Sequence, residues 1–415
     1  MKLNQSFVLV LAALGICPIV QAQTVKPNLS KAFIQEQLDA AANQIKVLAA
    51  ETPAEKFPKT FEQGEHVFSS SSWWCSGFYP GTLLYLYEGT KEKALLEKAT
   101  EKLTYLEKEK NNKGTHDLGF MLFCSFGNAL RLTGDTLKYI PILSTGANSL
   151  ASRYSPITKA IRSWDHGSWQ YPVIIDNMMN LEFLTQVSKV TGDKKCYDIA
   201  VSHAETTLKN HFRKDYSSYH VIDYDKKTGK AIGKKTHQGA FDESAWARGQ
   251  GWALYGYTMM YRETKKKEFL KQAQQIAKYI LSNPNLPADL VPYWDFDKDK
   301  IAKSDKMYPN RDLRDVSAAA LYASALLELS QYTKGTEALD YFNKAETILR
   351  SLSKAPYLAP YGQNGGYILQ HSVGALPLNS EIDVPLTYAD YYYVEALVRY
   401  QRLLDGEPMI KAIAK

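Results

Sequence analysis

The chain has 415 residues, 50 Lys+Arg against 44 Asp+Glu for a net charge of +6, and is 45% hydrophobic and 23% charged. This composition buries a large core and excludes disordered, collagen-like, mucin-like and coiled-coil classes. The mild, scattered Lys excess argues against nucleic acid as a partner and fits a small anionic substrate equally well. The 7 Trp, 28 Tyr and 15 Phe suit a core, and they also suit the apolar faces of sugar rings.

Met1-Lys2 opens the chain, an apolar run follows from Phe7 to Val20, and Val20-Gln21-Ala22 carries the small residues a signal peptidase reads. Cleavage after Ala22 predicts an exported protein, periplasmic or secreted, with residues 23–415 mature and no membrane span after cleavage. Lipidation at Cys17 is the weaker alternative, because Ile16 stands where a small residue is expected. Mature cysteines number three, Cys75, Cys124 and Cys196, with no C-x-x-C pair. That spacing excludes a disulfide framework and the usual structural zinc site, and leaves open one disulfide. No phosphate-cradling glycine motif and no H-E-x-x-H occurs, so neither a metal nor a cofactor is expected.

Apolar residues recur at three and four along the mature chain and strand-like alternation is rare, which predicts an almost entirely helical fold. Twelve helices are expected, near 30–52, 78–88, 91–110, 117–132, 135–155, 176–191, 193–211, 244–264, 267–282, 314–331, 336–353 and 386–403. They alternate in pairs. One helix ends in a short turn such as Thr133-Gly134-Asp135 or Thr191-Gly192-Asp193, and a more charged helix follows at once, as C-terminal Gly and N-capping Asp require. Equivalent Thr residues at 90, 133, 191, 264 and 333 mark an internal repeat of helical hairpins with long loops of variable length. Six hairpins predict an (α/α)₆ barrel in one domain, with Leu29–Thr52 closing the ring from outside. The alternative, an open superhelix, does not explain why only one side of each hairpin has lengthened loops.

Those long segments precede the first helix of each pair. The starts of these helices carry Trp73-Trp74 and Gly77, His116-Asp117, Asp176-Asn177, Trp246 and Arg248, Arg314-Asp315, and Tyr388 with Asp390. If the helices run in one direction around the ring, all six starts converge on one mouth whose dipole ends favour a carboxylate-bearing ligand.

Asp117 stands at the first turn of an apolar helix, next to His116 and to Gly119, which permits close approach. Asp176 lies within the apolar run Val173–Phe183, where burial would raise its pKa and let it act as a general acid. Capping is the alternative for both acids, and a core histidine is the alternative for His116. In the stretch from Thr236 to Gly256, helical spacing puts Arg248 on one face with Ser244, Trp252 and Tyr255. A buried Arg there asks for an anion, a sugar carboxylate or else Asp242 or Glu243.

The runs H-D-L-G-F-M from His116, D-N-M-M-N-L from Asp176, H-Q-G and S-A-W-A-R-G-Q-G-W between His237 and Trp252, V-P-Y-W-D-F from Val291 and N-S-E-I-D-V-P-L from Asn379 resemble the unsaturated glucuronyl hydrolases of glycoside hydrolase family 88. The resemblance extends from about Trp73 to Arg399 and implies an (α/α)₆ barrel without a metal. By that likeness Asp117 and Asp176 are the essential acids, with Asp176 the proton donor and water activator. The substrate-contacting positions are His116, His220, Gln238, Trp246, Arg248, Trp252, Trp74 and Trp164. One departure is Val316, where the family pattern has Ser after the Asp. The implied substrate is an oligosaccharide ending in a 4,5-unsaturated uronic acid, the product of a polysaccharide lyase, with glycosaminoglycan disaccharides first among the sources. Alternatives are an unsaturated galacturonyl hydrolase acting on pectin fragments, a polysaccharide lyase and a non-catalytic sugar-binding protein. No Lys or Arg occurs between Gln363 and Ser380, so sulfate recognition is not legible in that loop, and nothing in the sequence sets the oligomeric state.

Overall fold

The computed structural model describes residues 27–413, and the segment expected to be a leader, Met1–Ala22 with Cys17, lies outside them. The helices are α1 (Lys31–Glu51), α2 (Phe78–Thr90), α3 (Lys93–Leu106), α4 (Asn128–Thr133), α5 (Thr136–Ala151), α6 (Leu181–Thr191), α7 (Lys194–Asn210), α8 (Ala247–Thr264), α9 (Lys267–Ser282), α10 (Val316–Ser330), α11 (Gly335–Leu352) and α12 (Thr387–Leu404). A π-helical segment, Gly119–Gly127, leads into α4, and a 3₁₀ segment, Ile175–Asn180, leads into α6. With these two extensions, α2, α4, α6, α8, α10 and α12 pack each against the next, and α12 returns to α2 to close the ring. Every residue of α10 is buried, while α3, α7, α9 and α11 bury one stripe each, which separates inner from outer helices. The fold is the expected (α/α)₆ barrel, and α1 covers it from outside against α2 and α12.

The repeated threonines have a structural reason. Thr90, Thr133, Thr191 and Thr264 each donate Oγ1–H to the carbonyl four residues back, at 2.6–2.8 Å, and each accepts the backbone N–H two residues ahead, at 3.2–3.3 Å. One hydroxyl thus closes the inner helix and opens the outer one, satisfying groups that a helix end leaves orphaned. Asp135 and Asp193 then cap α5 and α7 as expected.

Several expected boundaries shift. The helix placed at 91–110 becomes α3 followed by a 3₁₀ turn, Glu107–Asn111. Those placed from 117, 176, 244 and 314 start regular α-helix at Asn128, Leu181, Ala247 and Val316. Among the described residues nine short strands, unseen in the sequence pattern, all fall in the segments that lead into inner helices: β1 (Phe57–Glu62), β2 (Glu65–Ser69), β3 (Tyr154–Ser155), β4 (Ala160–Ile161), β5 (Pro172–Ile174), β6 (Val221–Tyr224), β7 (Ala231–Lys235), β8 (Ser372–Ala375) and β9 (Ser380–Val384). They pair as β1-β2, β3-β4, β5-β6-β7 and β8-β9. At two to six residues each, they are too short for a period-two pattern to show. Among the described residues no helix is long and apolar enough to cross a membrane. Cys75, Cys124 and Cys196 are buried and unbridged.

Candidate active site

The starts of the inner helices meet at one end of the barrel. Ile174 pairs with Val221 across β5 and β6, and the Ile175 N–H donates to the His220 carbonyl at 3.0 Å, so the sheet sets Asp176 beside His220. His220 Nε2 lies 3.6 Å from Asp176 Oδ2. The other imidazole nitrogen, Nδ1, accepts the backbone N–H groups of His237 and Gln238 at 3.0 and 3.2 Å. Two donors at Nδ1 fix the tautomer with the proton on Nε2, facing the carboxylate. Burial, with the charges of His237 and Arg248, holds the imidazole neutral by pushing its pKa well below the usual value.

Asp176 is 8% exposed. Burial pushes its carboxyl up to about 7; the Arg248 guanidinium opposes the rise and the Asp117 carboxylate adds to it. No hydrogen bond caps the 3₁₀ segment from this side chain, so the capping alternative fails. It fails for Asp117 too. That carboxylate accepts the Thr115 hydroxyl at 2.7 Å and lies 3.3 Å from His116 Nε2, ahead of a helix whose start carries no side-chain cap. The two segments close on each other where Phe120 N–H donates to Asn180 Oδ1 at 3.0 Å. Gly119 is required there, because a Cβ would stand 2.6 Å from the Asn180 Cα. His116 is 3% exposed, its pKa lowered by burial, and its Nδ1 has no partner.

Arg248 occupies the middle of the site and is 1% exposed. Its Nη1 donates to Asp315 Oδ2 at 3.0 Å, Ser317 Oγ at 3.3 Å and the Val373 carbonyl at 2.6 Å, and Nη2 donates to the Gly374 carbonyl at 2.6 Å. Its counter-ion is therefore Asp315, not Asp242 or Glu243. The hydroxyl that the sequence lacks at Val316 is supplied one residue later by Ser317. The aromatic plates differ from those expected as well. The guanidinium sits over Trp246 at 4.5 Å and Tyr388 at 5.2 Å. Trp252 is buried against Phe120 and Tyr392, its Nε1 unpartnered, and Tyr255 binds Glu395 and Arg399. Ser244 precedes the helix and donates to Asp295 at 2.7 Å. The helix begins three residues later than the spacing implied, which rotates Ser244 off that face.

Trp246 lies 4.7 Å from the His220 ring, and Trp74 lies 4.9 Å from Tyr388. Gln238 donates from Nε2 to the Gly374 carbonyl at 3.0 Å, sharing that oxygen with Arg248. Trp164 stands further out, 5.7 Å from the His237 ring. The structure thus gathers Asp176, Asp117, His220, His116, Gln238, Trp246, Arg248 and Trp74 at one end of the barrel, Trp164 beside them through His237, and Trp252 beneath. Sequence reasoning missed Asp315, Tyr388 and the β8 carbonyls as the groups that hold Arg248; the signal available was an Asp and a Tyr at inner-helix starts.

A cavity of about 460 Å³ lies at the other end, under Tyr255, Glu395 and Arg399. The carboxylates lining it are paired: Glu182 and Glu263 with Arg262, and Glu395 with Arg399. It offers no unpaired acid, so the chemistry belongs to the end that holds Asp176.

A helical barrel with a buried, near-neutral carboxyl opposite a second carboxylate, walled by Trp and Arg, is the scaffold and site of a glycoside-cleaving enzyme. The family model described as Glycosyl Hydrolase Family 88 matches residues 49–403. An unsaturated glucuronyl hydrolase of Formosa agariphila is 41% identical over 92% of this chain and 94% of its own length. An unsaturated chondroitin disaccharide hydrolase of Streptococcus agalactiae is 30% identical over 90% of this chain and 93% of its own. A crystal structure of an unsaturated glucuronyl hydrolase specific for heparin superposes with a TM-score of 0.85 at 46% identity, covering 92% of this chain and all of that one. The chain belongs to glycosyl hydrolase family 88 and is a glycosidase.

Proposed function

We propose that the enzyme removes the 4,5-unsaturated uronic acid from the non-reducing end of lyase-generated glycosaminoglycan disaccharides by hydrating the C4=C5 double bond. The observation that carries this reading is Asp176: a buried carboxyl with a pKa of about 7, beside a neutral His220 and within electrostatic reach of Asp117. Such a group holds a proton at neutral pH and can both give it and take one back.

Asp176 protonates C4, and positive charge develops at C5 and the ring oxygen. Asp117, as a carboxylate, stabilises that charge and orients the ring. Water adds to C5 as Asp176 takes its proton. The C5 hemiketal then opens by breaking the C5–O bond, leaving a ketone at C5 and a hemiacetal at C1, from which the aglycone departs as an alcohol. This differs from ordinary glycosidases, where attack falls on C1. His220 Nε2–H, 3.6 Å from Asp176 Oδ2, can close on the carboxylate form of Asp176 and so steady it between the two transfers. Gln238, Trp246, Arg248, Trp74, His116 and Trp164 surround the sugar, and Trp252 supports them from below.

The names of the relatives, a hydrolase specific for heparin and a chondroitin disaccharide hydrolase, support glycosaminoglycan over pectin ends. The leader at Met1–Ala22 supports export to where lyase products appear. Incubation with unsaturated chondroitin, heparin and pectin disaccharides tests the reading. Loss of the ultraviolet absorbance of the conjugated bond on the first two supports it; selective loss on the pectin fragment, or none on any, refutes it.

A further inference from the structure

Lys59 lies at a bulge. In the β1-β2 hairpin Pro58 pairs with Phe68 and Thr60 with Val67, so Lys59 has no partner across the ladder. A bulge re-aims the side chain it carries. Here the ammonium is directed over the exposed Trp73 ring, 4.9 Å from its centroid, and toward Glu381 at 3.6 Å, beyond hydrogen-bond distance. Among the described residues the ammonium has Glu381 as its ion-pair partner and makes no shorter hydrogen bond.

The other side of this contact is also built. Glu381 adopts φ +54 on β9, a left-handed conformation that a non-glycine residue holds only when its surroundings fix it. Its side chain lies against Gly374, where a Cβ would stand 2.3 Å from a Glu381 carboxyl oxygen. The Gly374 carbonyl is the one that Arg248 and Gln238 share. Glu381 therefore separates Lys59, at the rim, from Arg248, in the depth.

We propose that Lys59, with Trp73 as its apolar plate, is a specificity-determining residue that reads a sulfate ester on the aglycone sugar. The inference rests on the uronyl hydrolase reading above. An exposed indole offers a face for the aglycone ring, and the ammonium at 4.9 Å supplies donors for an anionic substituent on it. The uronyl carboxylate, next to the bond that is hydrated, belongs in the depth near Arg248, so the rim charge is left for the second sugar. Glu381 holds the ammonium in place and, as a carboxylate beside the incoming sulfate, limits the gain.

The experiment measures kcat/KM on unsaturated chondroitin disaccharides carrying no sulfate, a 4-O-sulfate or a 6-O-sulfate, for the wild-type enzyme, Lys59→Met and Lys59→Arg. The ratio of the better sulfated substrate to the unsulfated one should fall about tenfold in Lys59→Met and return in Lys59→Arg, as loss and recovery of a partly exposed charge-assisted contact. The wild-type ratio should also fall between about 20 mM and about 500 mM salt, a measurement that needs no variant to fold. Ratios within about twofold of wild type in Lys59→Met, or a wild-type ratio flat with salt, overturn the assignment. A wild-type enzyme inactive on all three disaccharides overturns this assignment, and one inactive on heparin disaccharides as well overturns the parent reading with it, whereas activity with unmoved ratios overturns this one alone.

Discussion

Asp176 Oδ2 and His220 Nε2 face each other across 3.6 Å, and each is a buried atom with no hydrogen-bond partner. Buried polar atoms are almost always paired, and exceptions gather at sites that exchange protons. The His220 proton is locked toward Asp176 by the two backbone donors on Nδ1. When Asp176 is a neutral acid the contact is loose, and when it is a carboxylate the imidazole N–H can close on it.

The pH profile follows from this arrangement. Asp176 must carry a proton to start the reaction, and burial pushes its carboxyl up to about 7. The kcat/KM profile should therefore fall with unit slope above about pH 7. Burial is the main cause of the raised value, Arg248 lowers it and Asp117 raises it. Removing the Asp117 charge takes away a raising influence, so residual activity in Asp117→Asn should break at lower pH than wild type. Removing the Arg248 charge should move the break to higher pH. Opposite movement in either variant would show that the titrating group is not Asp176.

Asp176→Asn keeps the size of the side chain and removes the transferable proton. A loss in kcat of about 10²-fold or more is expected, with binding retained. Wild-type reaction in deuterated water should place deuterium at C4 of the released keto acid at the moment of cleavage. A near-normal kcat in Asp176→Asn would refute Asp176 as the proton donor and reopen Asp117 for that role, and label entering only by later exchange would refute protonation at C4.

Arg248 holds substrate and structure together, and the two can be separated. Arg248→Met leaves Asp315, 0% exposed, as an unpaired buried charge, and breaking such a pair costs about 3–5 kcal/mol of stability. KM should rise as well. Arg248→Met combined with Asp315→Asn removes the stranded charge while keeping an N-capping side chain on α10, so most of the lost stability should return and KM should stay high. Denaturant melts alongside steady-state kinetics read both quantities. Recovery of KM in the double variant would show that Arg248 serves the fold alone.

The barrel was legible because its signals are local. Apolar spacing of three and four, and the Thr, Gly and Asp residues of each turn, act within a few residues, and the larger boundary errors fall at helix starts. Those starts misled because they depart from α-geometry where the chemistry lies: Gly119–Gly127 is π-helical and Ile175–Asn180 is 3₁₀. π-segments of this kind gather at functional sites. The partner of Arg248 was illegible for another reason. Asp315 is 67 residues away and the Val373 carbonyl 125, and no local pattern in the sequence encodes a contact across the ring. Helical spacing pointed to Trp252 and Tyr255, but the guanidinium turns instead toward Trp246, which precedes α8, and Tyr388 on α12.

Gly119 offers a test of how closely the two acids depend on that geometry. The residue touches no substrate in the proposed reaction, yet a Cβ there would stand 2.6 Å from Asn180 Cα and 2.7 Å from Asn180 Oδ1, the atom that accepts Phe120 N–H. Backbone on one side and a hydrogen-bonded amide on the other leave little to yield, so Gly119→Ala should push the Asp117 segment away from the Asp176 segment at an overpacking cost of about 1–3 kcal/mol. Displacement of about 1 Å at a reacting pair lowers rates by about 10²-fold. The expected outcome is a kcat loss much larger than the loss of stability alone would produce. Because Asp117 raises the Asp176 pKa, separation should also carry the basic break in the pH profile downward. A variant that loses a few degrees in Tm but keeps kcat and the position of that break would show that the contact at Asn180 serves packing and does not set the acids.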